Sequence, residues 1–165
     1  MGSGQMLLTS AALVLLMTVL LSFYRSSDST QKAIVETKEG ITAVALASSV
    51  IEDAQGQNFD QNSITMADTS VNQLTIPSKL GMETGESYPD SINDFDDYNN
   101  LSYTVVDSMG GTYNVNCKVV YVNPSTPDVV SATATWHKKL TVYVSSPQML
   151  DTVQAQFIMS YWYFR

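Results

Sequence analysis

MLLTSAALVLLMTVLLSFY, residues 6–24, runs for nineteen positions without a charge, a proline or a glycine, and Arg25 is the first charged side chain. At about 1.5 Å per residue this makes about 28 Å of helix, close to the roughly 30 Å hydrocarbon core of a bilayer. The segment is long enough to span a membrane. A cleavable secretory signal would need a positively charged start, a shorter apolar run and a small-residue cleavage site. Met1-Gly2-Ser3-Gly4 carries no side-chain charge. Arg25, Lys32 and Lys38 all follow the segment. The positive-inside rule alone would therefore leave the larger part of the chain in the cytoplasm, a count that a removed basic leader would alter.

Between Arg25 and Gln55 there is no proline and one glycine, Gly40. Ile34, Ile41, Val44, Ala45, Ala47, Ser48 and Ile51 recur at helical spacing, with Asp28, Lys32, Glu36, Lys38, Glu39, Glu52 and Asp53 mostly off that stripe. Gln55-Gly56 supplies a stop. Residues 1–55 are thus expected to form one helix about 75 Å long. Residues 6–24 are its membrane-spanning or filament-core half and 25–55 its amphipathic half. From Gly56 onward Ser, Thr, Asn, Asp, Tyr and Val dominate, and residues 56–165 are expected to form a β-rich globular domain. Within it, 56–100 is a connecting loop punctuated by Pro77, Gly81, Gly85 and Pro89 and long enough to hold short strands.

Period-2 alternation fills residues 101–164. Leu101, Tyr103 and Val105 share a face, and after a Gly110-Gly111 turn so do Tyr113, Val115, Cys117, Val119 and Tyr121. PSTPD, residues 124–128, interrupts the pattern. Leu140, Val142 and Val144 alternate next, and Val153, Ala155, Phe157, Met159, Tyr161 and Tyr163 close the chain. The expected class is α+β, a long N-terminal helix packed on a four-stranded antiparallel meander whose other face turns Thr, Asn and Lys to water. In the last strand Trp162 and Phe164 fall on the face opposite Tyr161 and Tyr163, as in an ordinary packed strand.

The charge balance narrows the function classes. Of 165 residues, 16 are acidic and 8 basic, a net charge of -8, and the eight bases are scattered. Nucleic-acid binding needs a basic face to displace phosphate counterions, so nucleic acid is not an expected partner. A single cysteine, Cys117, and a single histidine, His137, exclude an internal disulfide framework and a Cys/His zinc module. Cys117 alternates with Val115 and Val119 and is expected to be a buried core thiol, and His137 a surface or packing residue. No nucleophile elbow, zincin helix or phosphate-cradling glycine motif is present, so no catalytic residue is assigned and the chain is not expected to be an enzyme.

Three stretches carry a family resemblance. ASSVIEDAQGQNFDQN, residues 47–62, is similar to the helix exit of bacterial prepilin-like proteins, where an acidic segment runs into an FD pair, here Phe59-Asp60. DFDDYNN, residues 94–100, resembles a segment of mannose-sensitive-haemagglutinin-like prepilins, and KKLTVYVSSP, residues 138–147, the strand that follows their basic pair. With the long helix and the meander, the chain resembles the type IV pilin and pseudopilin family. The resemblance implies a homopolymer joined through N-terminal helices and inserted in the cytoplasmic membrane before assembly. It also implies an inner-membrane assembly platform and a prepilin peptidase as partners, and an extracellular filament on the cell surface as destination. The filament-core residues would be Gln5, Leu7, Leu8, Leu13, Leu15, Leu16, Leu20 and Leu21. In that family the fifth residue is usually a glutamate that neutralises a neighbour's amino terminus. Gln5 stands there if Met1 is the mature start, and a glutamine hydrogen-bonds an amine without cancelling its charge. Processing after Gly2 or Gly4 would instead leave a leader without a basic residue. The alternative within the same fold is a minor pilin, a pseudopilin or a membrane-anchored extracytoplasmic binding module.

Thr9, Ser10, Ala11, Ala12, Thr18 and Ser22 would permit close helix approach and interhelical hydrogen bonds. One polar cluster remains. Glu83, Glu86, Asp90, Asp94, Asp96 and Asp97 place six acids in fifteen residues with no base among them. Asp90, Asp94, Asp96 and Asp97 are the candidate oxygen ligands for calcium, the one cofactor weighed. The competing expectation, a solvated acidic loop holding no metal, is favoured because the EF-hand spacing and its sixth-position glycine are missing. Asn100-Leu101-Ser102 is the only N-glycosylation sequon.

Overall fold

A computed structural model describes residues 2–64 and 70–161. Trp162, Tyr163 and Phe164 of the expected final strand lie outside the described residues. One helix, α1, covers Ser3–Gln55. It contains no proline, and it stops where Gly56 predicts, with the Gly56 N–H turning back to the Asp53 carbonyl at 3.1 Å. The chain divides into two compact units, Met1–Lys38 and Glu39–Arg165. In the first unit α1 is exposed along nearly its whole length.

In the second unit the strands are β1 (Ser102–Val106), β2 (Thr112–Asn123), β3 (Thr126–Val130), β4 (His137–Ser145) and β5 (Val153–Ser160). They form one antiparallel sheet in the order β1-β2-β4-β5, with β3 paired to the end of β2. Four of the five are the expected meander. The β1–β2 turn is built on Asp107, whose Oδ1 accepts from the N–H groups of Met109 (2.8 Å) and Gly111 (2.7 Å). Gly110 takes the left-handed conformation, φ +85°, that this loop needs.

Two expectations are corrected. PSTPD does not simply interrupt the sheet: Asn123 pairs with Thr126, so Pro124 and Ser125 form a two-residue loop and Pro127 sits inside β3. A proline is tolerated there because a strand paired on one side needs only half its backbone donors. Residues 56–100 hold no strand among those described. They fold as single 3-10 turns at Gln61–Ser63, Val71–Gln73, Pro77–Lys79 and Asp96–Tyr98, with one isolated bridge between Asn58 and Asp94. Asn99 ties this loop to the sheet by donating to the Leu80 carbonyl (2.9 Å) and accepting from the Val119 N–H (3.0 Å).

The core lies between the sheet and α1 from Glu39 onward. Tyr113, Val115, Cys117, Val119 and Tyr121 of β2 and Leu140, Val142 and Val144 of β4 face inward, as alternation predicts. The helix meets them with Ala43, Ala47, Val50 and Ala54. This corrects part of the predicted stripe: Ala47 is fully buried and Ile51 half-buried as expected, but Ile41 and Val44 are 67% and 53% exposed, and Ala43, Val50 and Ala54, which lie off that stripe, line the core. Small residues on the helix let it approach a sheet face already filled by tyrosine, leucine and valine. Glu39 begins the buried stripe and accepts from the Tyr113 hydroxyl at 2.5 Å.

Candidate functional site

The apolar segment comes first because its state is the least ordinary. Thirteen large apolar side chains between Met6 and Tyr24 are 48–75% exposed, among them all the predicted core leucines, Leu7, Leu8, Leu13, Leu15, Leu16, Leu20 and Leu21. Gln5 is exposed as well. Soluble surfaces rarely leave so long an apolar stretch uncovered, and this helix is long and apolar enough to cross a membrane. Three of its hydroxyls are satisfied within the helix. Thr9 donates to the Met6 carbonyl (3.0 Å), Ser10 to Leu7 (3.0 Å) and Thr18 to Leu15 (2.8 Å). Bonded in this way, those groups ask nothing of their surroundings, which suits them to hydrocarbon.

The second unit contains a buried charge cluster that the sequence analysis did not foresee. Lys138 is in phase with Leu140, Val142 and Val144, so β4 carries it to the inner face, where it is fully buried. Its three ammonium protons find three acceptors: the Phe59 carbonyl at 2.8 Å, Asp60 Oδ2 at 2.7 Å and Asp96 Oδ1 at 2.5 Å. The ammonium also lies 4.7 Å from the centre of the Phe59 ring and 5.4 Å from that of Tyr121. Asp60 does more than pair. Its carboxylate accepts from Asn62 N–H (3.1 Å), Thr75 N–H (3.0 Å) and Thr75 Oγ1 (3.0 Å), which fixes two turns of the loop around one buried charge. The expectation that the lysines of this strand face water fails at Lys138. At Lys139 the side chain turns to the Pro127 carbonyl of β3 at 2.7 Å.

Beside this lysine the DFDD segment folds on itself. Asp94 Oδ1 accepts from the N–H groups of Asp96 (2.8 Å) and Asp97 (3.3 Å), and Asp97 Oδ2 accepts from those of Asn93 (2.9 Å) and Asp94 (3.2 Å). Each carboxylate thus commits one oxygen to backbone donors. The other oxygens, Asp94 Oδ2 and Asp97 Oδ1, are buried and have no hydrogen-bond partner, as is true of Glu83 Oε2 and Asn93 Oδ1. One carboxylate oxygen each from Glu83, Asp94 and Asp97 lies within 4.8 Å of the others. Burial, and then the charges of Asp96 and Asp97, push the Asp94 carboxyl up to about 9. Burial and neighbouring Glu86 push Glu83 up to about 7, and burial also raises Asp97. Burial works the same way on Glu86 but is outweighed by hydrogen bonds, among them the Glu83 N–H, so its carboxyl ends below the usual range.

The predicted solvated acidic loop is therefore found only in part. Asp90 is exposed, whereas Asp94, Asp96 and Asp97 are fully buried. Of the four candidate calcium ligands, Asp94 and Asp97 share a site, Asp96 is turned to Lys138 and Asp90 lies apart from the buried set. Glu83 replaces it. Cys117 is buried in the core, as expected, and burial pushes its thiol up to about 12. His137 packs half-buried at a strand end with Nδ1 2.7 Å from Ser160 Oγ, and burial lowers its pKa. Asn100 is exposed, in the left-handed region at φ 61°, at the entrance to β1. Lys138, Asp60 and Glu83 are the residues missed. Alternation alone places Lys138 inward, but its partners sit 78 and 42 residues away in sequence.

Comparisons with family models, with curated proteins and with solved structures return no match to this chain. The layout itself, a long N-terminal helix with an apolar first half, followed by an antiparallel sheet on which its last turns pack, is pilin-like.

Proposed function

We propose that this chain is a structural subunit of an extracellular type IV pilus-like filament, held in the cytoplasmic membrane before assembly and acting by self-association rather than by catalysis. The observation that carries the proposal is the exposed apolar run from Met6 to Tyr24, whose Thr9, Ser10 and Thr18 hydroxyls are already satisfied within the helix. In lipid that surface is at rest. Outside lipid it must be covered, and full burial of large apolar side chains is worth about 1.5–3 kcal/mol each, so thirteen of them represent on the order of 20 kcal/mol or more before entropy is counted. Copies of the same helix are the cover that needs no second gene product, and a head-to-tail contact that does not close on itself yields an open helical filament. Ile41 and Val44, exposed on the helix of the second unit, would extend the contact between subunits.

The reading is tested in the native cells by electron microscopy and N-terminal mass spectrometry of sheared surface material, with the Leu15→Asp and Leu16→Asp variants alongside. Filaments built of this chain, lost in either variant while the β-sheet unit stays protease-resistant, are the expected result. Normal filaments from the variants would sink the proposal. Gln5, which lacks the charge of the usual glutamate, favours a second reading as a minor pilin, pseudopilin or anchored binding module. Recovery of the chain only from detergent-soluble membranes, with no filament present, would select that one.

A further inference from the structure

Four buried aspartates, Asp60, Asp94, Asp96 and Asp97, share the interior with Lys138. That lysine satisfies Asp60 and Asp96. Asp94 and Asp97 have no cation, only backbone N–H groups on one oxygen each. Their remaining oxygens are fully enclosed and unpartnered, and one carboxylate oxygen from each lies within 4.8 Å of one from Glu83. Ionised carboxylates this close in a poorly hydrated setting repel one another, so a fold that brings them together implies protons or a cation to neutralise them. We infer that Glu83, Asp94 and Asp97 form a binding site for one divalent cation of the calcium type, with the Asn93 side-chain carbonyl as a further oxygen ligand.

The chemistry of the donor set supports a hard cation. The unclaimed atoms of this group are all oxygen, from the carboxylates of Glu83, Asp94 and Asp97 and the Asn93 amide, with no nitrogen or sulfur ligand among them; Asp96 Oδ2, also unclaimed, belongs to the carboxylate paired with Lys138. Calcium holds its oxygens at about 2.3–2.6 Å, so ligands on opposite sides of the ion stand about 5 Å apart and adjacent ones closer, which matches the spacing observed. Magnesium at about 2.0–2.1 Å would need the oxygens drawn further together. Asn93 is oriented for the role because its amide nitrogen is held by Glu86 Oε1, leaving Oδ1 free. The site joins two distant parts of the loop, the Glu83–Glu86 turn and the 3-10 turn Asp96–Tyr98. Occupancy would therefore cross-link residues 83–97, which have no strand of their own to hold them. This inference does not depend on the filament proposal.

The test is calcium titration of the full-length chain in nonionic detergent after stripping with chelator, read by calorimetry and by the unfolding temperature. The expected result is one saturable site with a dissociation constant of about 0.1–1 mM, in the range of extracellular calcium modules. The unfolding temperature should rise with calcium, and magnesium should bind at least about 10-fold more weakly. Glu83→Gln, at a half-buried position that the fold tolerates, should weaken calcium at least about 10-fold, and Asp97→Asn likewise; Asp90→Asn should change nothing. Absence of saturable binding to the wild-type chain at about 10 mM calcium, ten times the weakest constant expected, would overturn the inference. So would unchanged affinity in Glu83→Gln and Asp97→Asn, or loss of affinity in Asp90→Asn alone.

Discussion

Replacing Lys138 with methionine keeps most of the side chain's volume and removes its charge. The ammonium makes three hydrogen bonds, two to buried carboxylates, from a position with no exposure to solvent. Removing it leaves Asp60 and Asp96 buried without a counter-charge, beside Asp94 and Asp97. Breaking a buried pair in this way costs about 3–5 kcal/mol. Against a total stability of about 5–15 kcal/mol for a domain, the Lys138→Met variant loses about a fifth of it or more. Urea unfolding of the full-length chain in detergent, followed by near-ultraviolet circular dichroism with chelator present, measures the loss. Asp96→Asn on top of Lys138→Met should return at least about 1 kcal/mol, since the second change removes a stranded charge. Lys139→Met is the internal control. That ammonium bonds the Pro127 carbonyl and lies 3.8 Å from Asp128, whose side chain is 94% exposed, so its loss should cost no more than about 1 kcal/mol. A loss below about 1 kcal/mol for Lys138→Met, or equal losses for the two lysines, would refute the view that one of them organises the interior.

Ala47 is fully enclosed between α1 and the sheet. Ala47→Leu should therefore cost about 1–3 kcal/mol by overpacking, whereas Ile41→Ser on the exposed face should stay within about 0.5 kcal/mol; thermal melts of the two variants decide whether the helix is phased as described. Cys117, buried and with its thiol pushed up to about 12, should resist alkylation at pH 8 in the folded chain and react at the rate of a free thiol in denaturant. Rapid labelling under native conditions, followed by mass spectrometry, would contradict its place in the core.

Period and composition made the elements legible, while charge compensation was not. Residues 6–55 could hardly be other than a helix, because nothing in them breaks one, and Tyr113 to Tyr121 alternate so regularly that their inward face follows from spacing alone. The phase of α1 was read only in part: Ala47 was on the expected stripe, but Ile41 and Val44 were placed there in preference to Ala43 because they weigh more on any hydrophobicity scale. Which side of a helix is buried depends on the space its partner leaves, and against a sheet lined with Tyr113, Leu140 and Val142 that side is mostly alanine, with Val50 among it. β3 was hidden by Pro127 within it and Pro124 just before it, since proline counts against a strand unless it lies at an edge. A run of acids reads as solvated when taken by itself. Nothing local to Asp96 announces that Lys138 will arrive from across the sheet.

The acids are inside because of the aromatic residues next to them. The loop of residues 56–100 has few large apolar side chains, and three of those it buries are Phe59, Phe95 and Tyr98. Phe59 is followed by Asp60, Phe95 is flanked by Asp94 and Asp96, and Tyr98 is preceded by Asp97. Anchoring each ring in the core draws its neighbouring carboxylate below the surface, where an unpaired charge is too costly to leave. The fold answers one acid at a time: turns of backbone N–H groups for one oxygen each of Asp94 and Asp97, and Lys138 for Asp60 and Asp96. Asp94 and Asp97, each with one oxygen left over after those two devices, are the two that lie with Glu83. A divalent cation at that point would complete the same charge balance, and the order of the loop would then depend on the medium around the chain.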